Sequence, residues 1–201
     1  MVQPATRADG RANRERLLAA AVAAFADRGL GAEMRDVAER AGLSVGALYR
    51  HFPSRDELLT AVVAEAITAF EEAQDAAFAA ETVLAGLHRF VVRALVVVER
   101  YGEPLTALLQ GQIAAERDDG QLLERRTQIR ARTIALIERG IEHGALRRDL
   151  DPQIAAAMLR VVFVPRTLAD LRSTRSTEQV AAGIVDLFVH GAGIRSAPPA
   201  L

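Results

Sequence analysis

Residues able to do covalent or metal chemistry are sparse and scattered in this chain. The four histidines, His51, His88, His143 and His190, fall on separate stretches, and cysteine is absent, so neither a metal-ligand set nor a thiol nucleophile is expected. The acid pairs Glu71-Glu72 and Asp118-Asp119 are adjacent in sequence, which on a helix sends their side chains apart. No glycine-rich phosphate loop follows a strand pattern and no nucleophile turn occurs. Enzyme activity, cofactor and metal are therefore not expected. Polar groups that could act together are concentrated instead at residues 34–52, where Ser44 can cap a helix whose free N-terminal N–H groups suit a phosphate.

Charge follows the same division. All 25 basic residues are arginine, a bias read chiefly as compositional in so alanine-rich a chain. Residues 1–55 carry nine arginines against six acids, +3, and residues 56–201 carry sixteen against twenty, −4. The chain is basic in front and acidic behind. Its 201 residues, 50% hydrophobic and 25% charged, suffice for a buried core. The polar start Met1 to Gly10 lacks the apolar segment of a signal peptide, and the most apolar stretch, Val83 to Val98, contains His88, Arg89 and Arg93 and does not read as a membrane span. A cytoplasmic location without membrane contact is expected, in keeping with the absence of cysteine.

The elements that must position the recognition residues all read as helix, because apolar residues recur at intervals of three and four. About nine helices are expected. The first runs near Ala12–Arg28 and stops at Gly29; Met34–Ala41 and Val45–Phe52 follow. Pro53 forces a break, and Ser54-Arg55-Asp56-Glu57 forms a capping box for a long helix to about Ala79, long enough to connect two halves of the molecule. Helices are then expected at Glu81–Tyr101, Pro104–Arg117, Gly120–His143, Pro152 to about Asp170 with Pro165 inside it as a kink, and Thr177–Gly191. Asp151-Pro152 should cap the eighth.

Residues 34–52 carry the most specific pattern. Ala38 is small where two helices must cross, Gly42 can take a positive φ in the turn, Ser44 can cap the second helix, and Leu48 returns an apolar side chain to the crossing. This is a helix-turn-helix. With Phe25-Ala26-Asp27-Arg28-Gly29 before it and Leu48-Tyr49-x-x-Phe52-Pro53-Ser54-Arg55-Asp56-Glu57-Leu58-Leu59 across its end, the stretch Leu17–Leu59 resembles the DNA-binding domain of the TetR family of transcriptional repressors. The loop Gly144 to Pro152 resembles the turn before the dimer helices of many members. The resemblance implies that Arg35, Ser44, Val45, Gly46, Ala47, Tyr49, Arg50, His51 and Arg55 face DNA, with Tyr49 and Arg55 on phosphates. It also implies an effector in the helical bundle that tilts the fourth helix and changes the spacing of two reading heads. Two features depart from the family pattern. Val45 and Ala47 replace a Lys and a Thr common in members, and Glu33 stands where a Thr often caps the second helix, after a loop about one residue short.

In the helical remainder His88 lies in the stripe Leu84, His88, Val91, Leu95, as either a core histidine or a ligand contact. Gln110, Gln112, Arg130, Phe163 and Arg166 are further ligand candidates, each equally readable as surface or packing. The all-apolar run containing Met158 and Val162, with Val180, Ile184, Leu187 and Phe188 on the last helix, fits a four-helix interface with a second copy or the closure of a monomeric core. The expected protein is all-α. Residues 1–53 form a helix-turn-helix domain, with 1–11 as a flexible arm; 54–196 form a helical ligand-binding and dimerisation domain; 197–201 are a tail. As a homodimeric repressor it would bind a pseudo-palindromic operator and be released by a largely apolar small molecule. The alternatives are an effector-independent DNA-binding regulator and a small-molecule-binding helical protein without an operator.

Overall fold

Backbone preference and apolar periodicity produce nine α-helices among the described residues of the computed structural model, which are 7–109, 120–163 and 165–191. They are α1 (Arg7–Arg28), α2 (Met34–Arg40), α3 (Val45–His51), α4 (Arg55–Phe78), α5 (Val83–Leu109), α6 (Gln121–Glu142), α7 (Pro152–Val162), α8 (Pro165–Arg172) and α9 (Thr177–His190), with a 3-10 turn at Gly29–Gly31. The fold is all-α, as the periodicity requires. No helix among the described residues is long and apolar enough to cross a membrane.

Three boundaries differ from expectation. Helix α1 begins at Arg7 rather than Ala12 and so takes in Arg7–Arg11 of the expected arm. The two helices expected on either side of Tyr101 to Pro104 run on as α5, with a kink at Gly102, whose φ of 56° and ψ of −136° are not helical. The single helix expected from Pro152 to Asp170 is two: Phe163 leaves helical geometry at φ −82° and ψ 50°, and Pro165 opens α8. A proline has no N–H for the preceding turn and disfavours helical geometry in the residue before it, so it starts a helix more readily than it bends one.

The described chain forms two compact units. One holds residues up to Thr68 together with Val97–Arg126. Its core contains Leu17, Ala21 and Phe25 of α1, Val37 and Ala38 of α2, Leu48 of α3, Phe52, Leu58 of α4 and Leu105 of α5, all buried. Ser54 opens α4 by accepting from the Glu57 N–H at 3.1 Å, half of the expected capping box.

The other unit holds Ala69–Val96 and the chain from Thr127. Three buried phenylalanines, Phe70, Phe90 and Phe163, meet edge to face with ring centroids 5.5 to 6.2 Å apart. Beyond the end of α6 the chain turns at Gly144, φ 69°, and the Ala145 N–H reaches back to the Gly140 carbonyl at 2.9 Å. Asp151 then caps α7, accepting from Gln153 at 2.7 Å and Ile154 at 3.1 Å. Gly86 lets α5 approach α4 closely, because a Cβ there would stand 2.5 Å from the Ala77 carbonyl oxygen.

That approach decides the sign of a substitution. In an open helix Gly→Ala stabilises by about 1 kcal/mol, and Gly183, with nothing within 4 Å of its Cβ position, meets that condition. Gly86→Ala must displace backbone and is expected to destabilise by about 1–3 kcal/mol, as overpacking does. Thermal unfolding should show Gly86→Ala several degrees below wild type and Gly183→Ala at or above it.

Candidate nucleic-acid interface

Helix α2 ends in a main-chain motif that sets the course of α3. The Gly42 N–H bonds the Glu39 carbonyl and the Leu43 N–H bonds the Ala38 carbonyl, both at 3.0 Å, while Gly42 adopts φ 65°. This is a Schellman turn, and glycine at its left-handed position avoids the Cβ clash. The Arg16 guanidinium adds a bond to the Ala41 carbonyl at 2.7 Å. Ser44, extended at φ −70° and ψ 149°, then accepts from the Ala47 N–H at 3.1 Å and starts α3. Leu48 is fully buried beneath.

With Leu48 inward, the opposite face of α3 is bare. Val45 is 39% and Tyr49 47% exposed, and a Cβ on Gly46 would meet nothing within 4 Å. Arg35 projects from α2 and is exposed. Arg35, Val45, Tyr49 and Arg55 share an open cleft of about 470 Å3 with Leu30 and Glu33. Arg28 and Arg40 pair with Asp36 and Asp27 at 2.5 and 2.6 Å, whereas Arg35 has no hydrogen bond or ion pair among the described residues, and neither does the Tyr49 hydroxyl. Arg50 turns back to the Gly46 carbonyl at 3.2 Å, and His51 is half-buried.

Arg55 is placed differently from the others. Its guanidinium is part-buried, donates to the carbonyls of Leu30 and Ala32, and lies 5.7 Å from the Phe25 ring centroid. Glu33 is the exposed N-cap residue of α2, and its N–H bonds the Asp36 carboxylate at 3.3 Å.

The candidates of the other unit occupy separate environments. Phe163 is buried in the aromatic trio. His88 is half-buried with Nε2 3.7 Å from a Glu178 carboxylate oxygen, and Arg130 is exposed and donates to Gln153 at 3.3 Å. Gln110 and Gln112 lie outside the described residues, as does the Arg166 side chain. Sequence reasoning missed Gln74, which is 1% exposed. Its Nε2 donates to the Ile129 carbonyl at 2.8 Å and to Thr133 Oγ1 at 3.0 Å. Its Oε1 is buried with no partner among the described residues. A signal was present: Gln74 falls four residues after Phe70, on the apolar face of α4.

Of the residues expected at a subunit interface, Met158 and Leu187 are 54% and 57% exposed, Val162, Ile184 and Phe188 are half-buried, and Val180 is buried within its own chain. Ile154 and Val161 extend the Met158 face. No group of three or more potential metal ligands is assembled among the described residues.

Residues 17–62 match the family model described as bacterial regulatory proteins, tetR family. The chain is 29% identical over 171 residues to the HTH-type transcriptional repressor KstR2 of Rhodococcus jostii, covering 78% of this chain and 79% of the relative. It is 27% identical over 164 residues to KstR2 of Mycolicibacterium smegmatis, covering 79% and 76%. Among solved structures it is similar to the TetR family transcriptional regulator PfmR from Thermus thermophilus, with a TM-score of 0.72, 26% identity, and coverage of 90% of this chain and 97% of that one. These relatives are regulators rather than enzymes. Residues 17–62 thus carry the TetR-family helix-turn-helix pattern, and over most of its length the chain is similar to TetR-family transcriptional regulators.

Proposed function

We propose that the protein is a homodimeric, effector-responsive repressor that reads a pseudo-palindromic operator and releases it on binding a small molecule. The observation that carries this reading is the bare face of Arg35, Val45, Gly46 and Tyr49 on a rigidly turned helix pair. In this reading α3 enters the major groove, where Arg35 bonds a guanine edge or a phosphate, Tyr49 donates to a phosphate, and Val45 and Ala47 touch thymine methyls. Ser44 fixes the start of α3, Arg50 and His51 flank it, and Arg55 adds its remaining donors to a phosphate. The KstR2 relatives are named as repressors, which supports the sign of regulation.

Dimerisation is supported by the exposed apolar side chains of Ile154, Met158 and Val161 on α7 and Leu187 on α9. Two copies would set their reading helices about 34 Å or a whole-turn multiple apart. An effector is supported by Gln74: a buried acceptor without a donor costs about 1–3 kcal/mol, and an apolar molecule carrying a hydroxyl or amide N–H would satisfy it. About 1–3 kcal/mol of preference for the released conformation is enough coupling.

The reading is tested by selecting bound duplexes from a random DNA library at stated moderate salt. Recovery of one inverted repeat is the expected outcome, and uniform salt-sensitive binding to every sequence would sink it. Gly46→Ala should leave thermal stability equal or higher while weakening the recovered site, because the added methyl occupies the face offered to DNA. Arg35→Ala should lose about 1–3 kcal/mol against the best site and flatten preference at one base pair, if it reads a base. Met158→Asp with Leu187→Asp should sediment as a folded monomer. A library of lipophilic alcohols paired with their deoxygenated counterparts should contain alcohols that raise the wild-type melting temperature and not that of Gln74→Leu, whose own stability changes little.

A further inference from the structure

The passage from α1 to α2 is short and leaves main-chain polar groups outside regular helix, so its shape depends on what bonds them. Gly29 leaves α1 at φ 59°, Gly29–Gly31 make a 3-10 turn, and Ala32 and Glu33 are extended. Within the turn the Ala32 N–H bonds the Gly29 carbonyl at 3.2 Å. Two further partners come from far along the chain. Arg55 of α4 takes the carbonyls of Leu30 and Ala32. Glu103 of α5 accepts the Leu30 N–H at 2.7 Å.

Several features show that the chain is fitted to this carboxylate. A Cβ on Gly29 would meet the end of the Glu103 side chain, so a larger residue there would push the carboxylate off the Leu30 N–H, while the φ of 59° favours glycine in its own right. Glu103 is delivered by the kink at Gly102, whose φ of 56° favours glycine. Pro104, which has no N–H, follows directly. Glu103 makes no ion pair among the described residues, and the Leu30 N–H is its one bond there. An unpaired carboxylate beside a face offered to DNA repels phosphate, so electrostatics gives no reason to keep it.

We infer that Glu103 is a positioning residue for DNA binding, whose carboxylate holds the Gly29–Glu33 turn and thereby sets where α2 presents Arg35. Bonds from a main-chain N–H to a carboxylate are stronger than neutral ones, and this one braces the turn together with the two bonds from Arg55. The inference rests on the DNA-binding reading.

The test compares full-length wild type, Glu103→Ala and Glu103→Gln for affinity to the inverted-repeat duplex recovered above and for exchange of the Leu30 amide hydrogen, followed by NMR. Glu103→Gln keeps an acceptor oxygen and removes the charge; Glu103→Ala removes both. Expected are about tenfold weaker binding by Glu103→Ala, the loss of one charge-assisted bond, wild-type or tighter binding by Glu103→Gln, and faster Leu30 exchange in Glu103→Ala alone. A role through charge only would make both variants bind tighter than wild type and would overturn the inference. So would equal Leu30 exchange in wild type and Glu103→Ala. If Glu103→Ala does not fold, Glu103→Gln decides: a folded Gln variant that loses the site or leaves Leu30 unprotected overturns it, and retention of both supports it. Wild-type protein that binds no duplex counts against the DNA-binding reading itself and takes the inference with it, whereas a wild type that binds alongside an equally tight Glu103→Ala defeats the inference alone.

Discussion

Reading a DNA groove from a single short helix requires that its axis be held by something other than its own length. Helix α3 is seven residues long and marginal by itself. Its direction comes from the paired main-chain bonds Gly42 to Glu39 and Leu43 to Ala38, which close α2 and turn the chain through a left-handed residue. Ala38 permits the close crossing, Leu48 anchors α3 from below, and Arg16 fastens the turn to α1. Remove the turn and Arg35, Val45 and Tyr49 no longer share a surface.

Electrostatics around that surface is selective rather than simply basic. Arg28 and Arg40 are held by Asp36 and Asp27, Arg14 lies 4.9 Å from the Phe52 ring centroid, and Arg16 and Arg55 bond carbonyls. Each of these arginines braces the domain. Arg35 is prominent because, unlike these arginines, it has no hydrogen bond or ion pair among the described residues.

What could be read from sequence was what depends on a few consecutive residues. Gly42, Ser44, Ser54 and Asp151 act on main-chain groups within five positions, so their roles in turning and capping were legible. The bracing of Leu30 by Glu103 spans 73 positions and that of Ile129 by Gln74 spans 55, and no local pattern marks such pairs. Arg55 shows the same limit: its place in the motif was evident, while its bonds to Leu30 and Ala32 depend on how α4 passes the turn. The break at Phe163 was half legible, since Pro165 announced a disturbance without saying whether the helix would bend or stop. Exposure of Met158 and Leu187 alongside burial of Val180 separates residues that periodicity had grouped as one face.

The unit that presents the bare face is assembled from two stretches of chain, up to Thr68 and Val97–Arg126. Synthesis delivers them in order, so Leu30 leaves the ribosome well before the carboxylate it bonds. At about 5–20 residues per second, the 73 positions between Leu30 and Glu103 take about 4–15 s. Through that interval the nascent helix-turn-helix has its hinge but not its brace. A fragment ending at Pro53 would lack Arg55 as well as Glu103 and so have neither partner for the turn. Maturation of the reading surface is thus a late step of biosynthesis, although its sequence is among the first to be made.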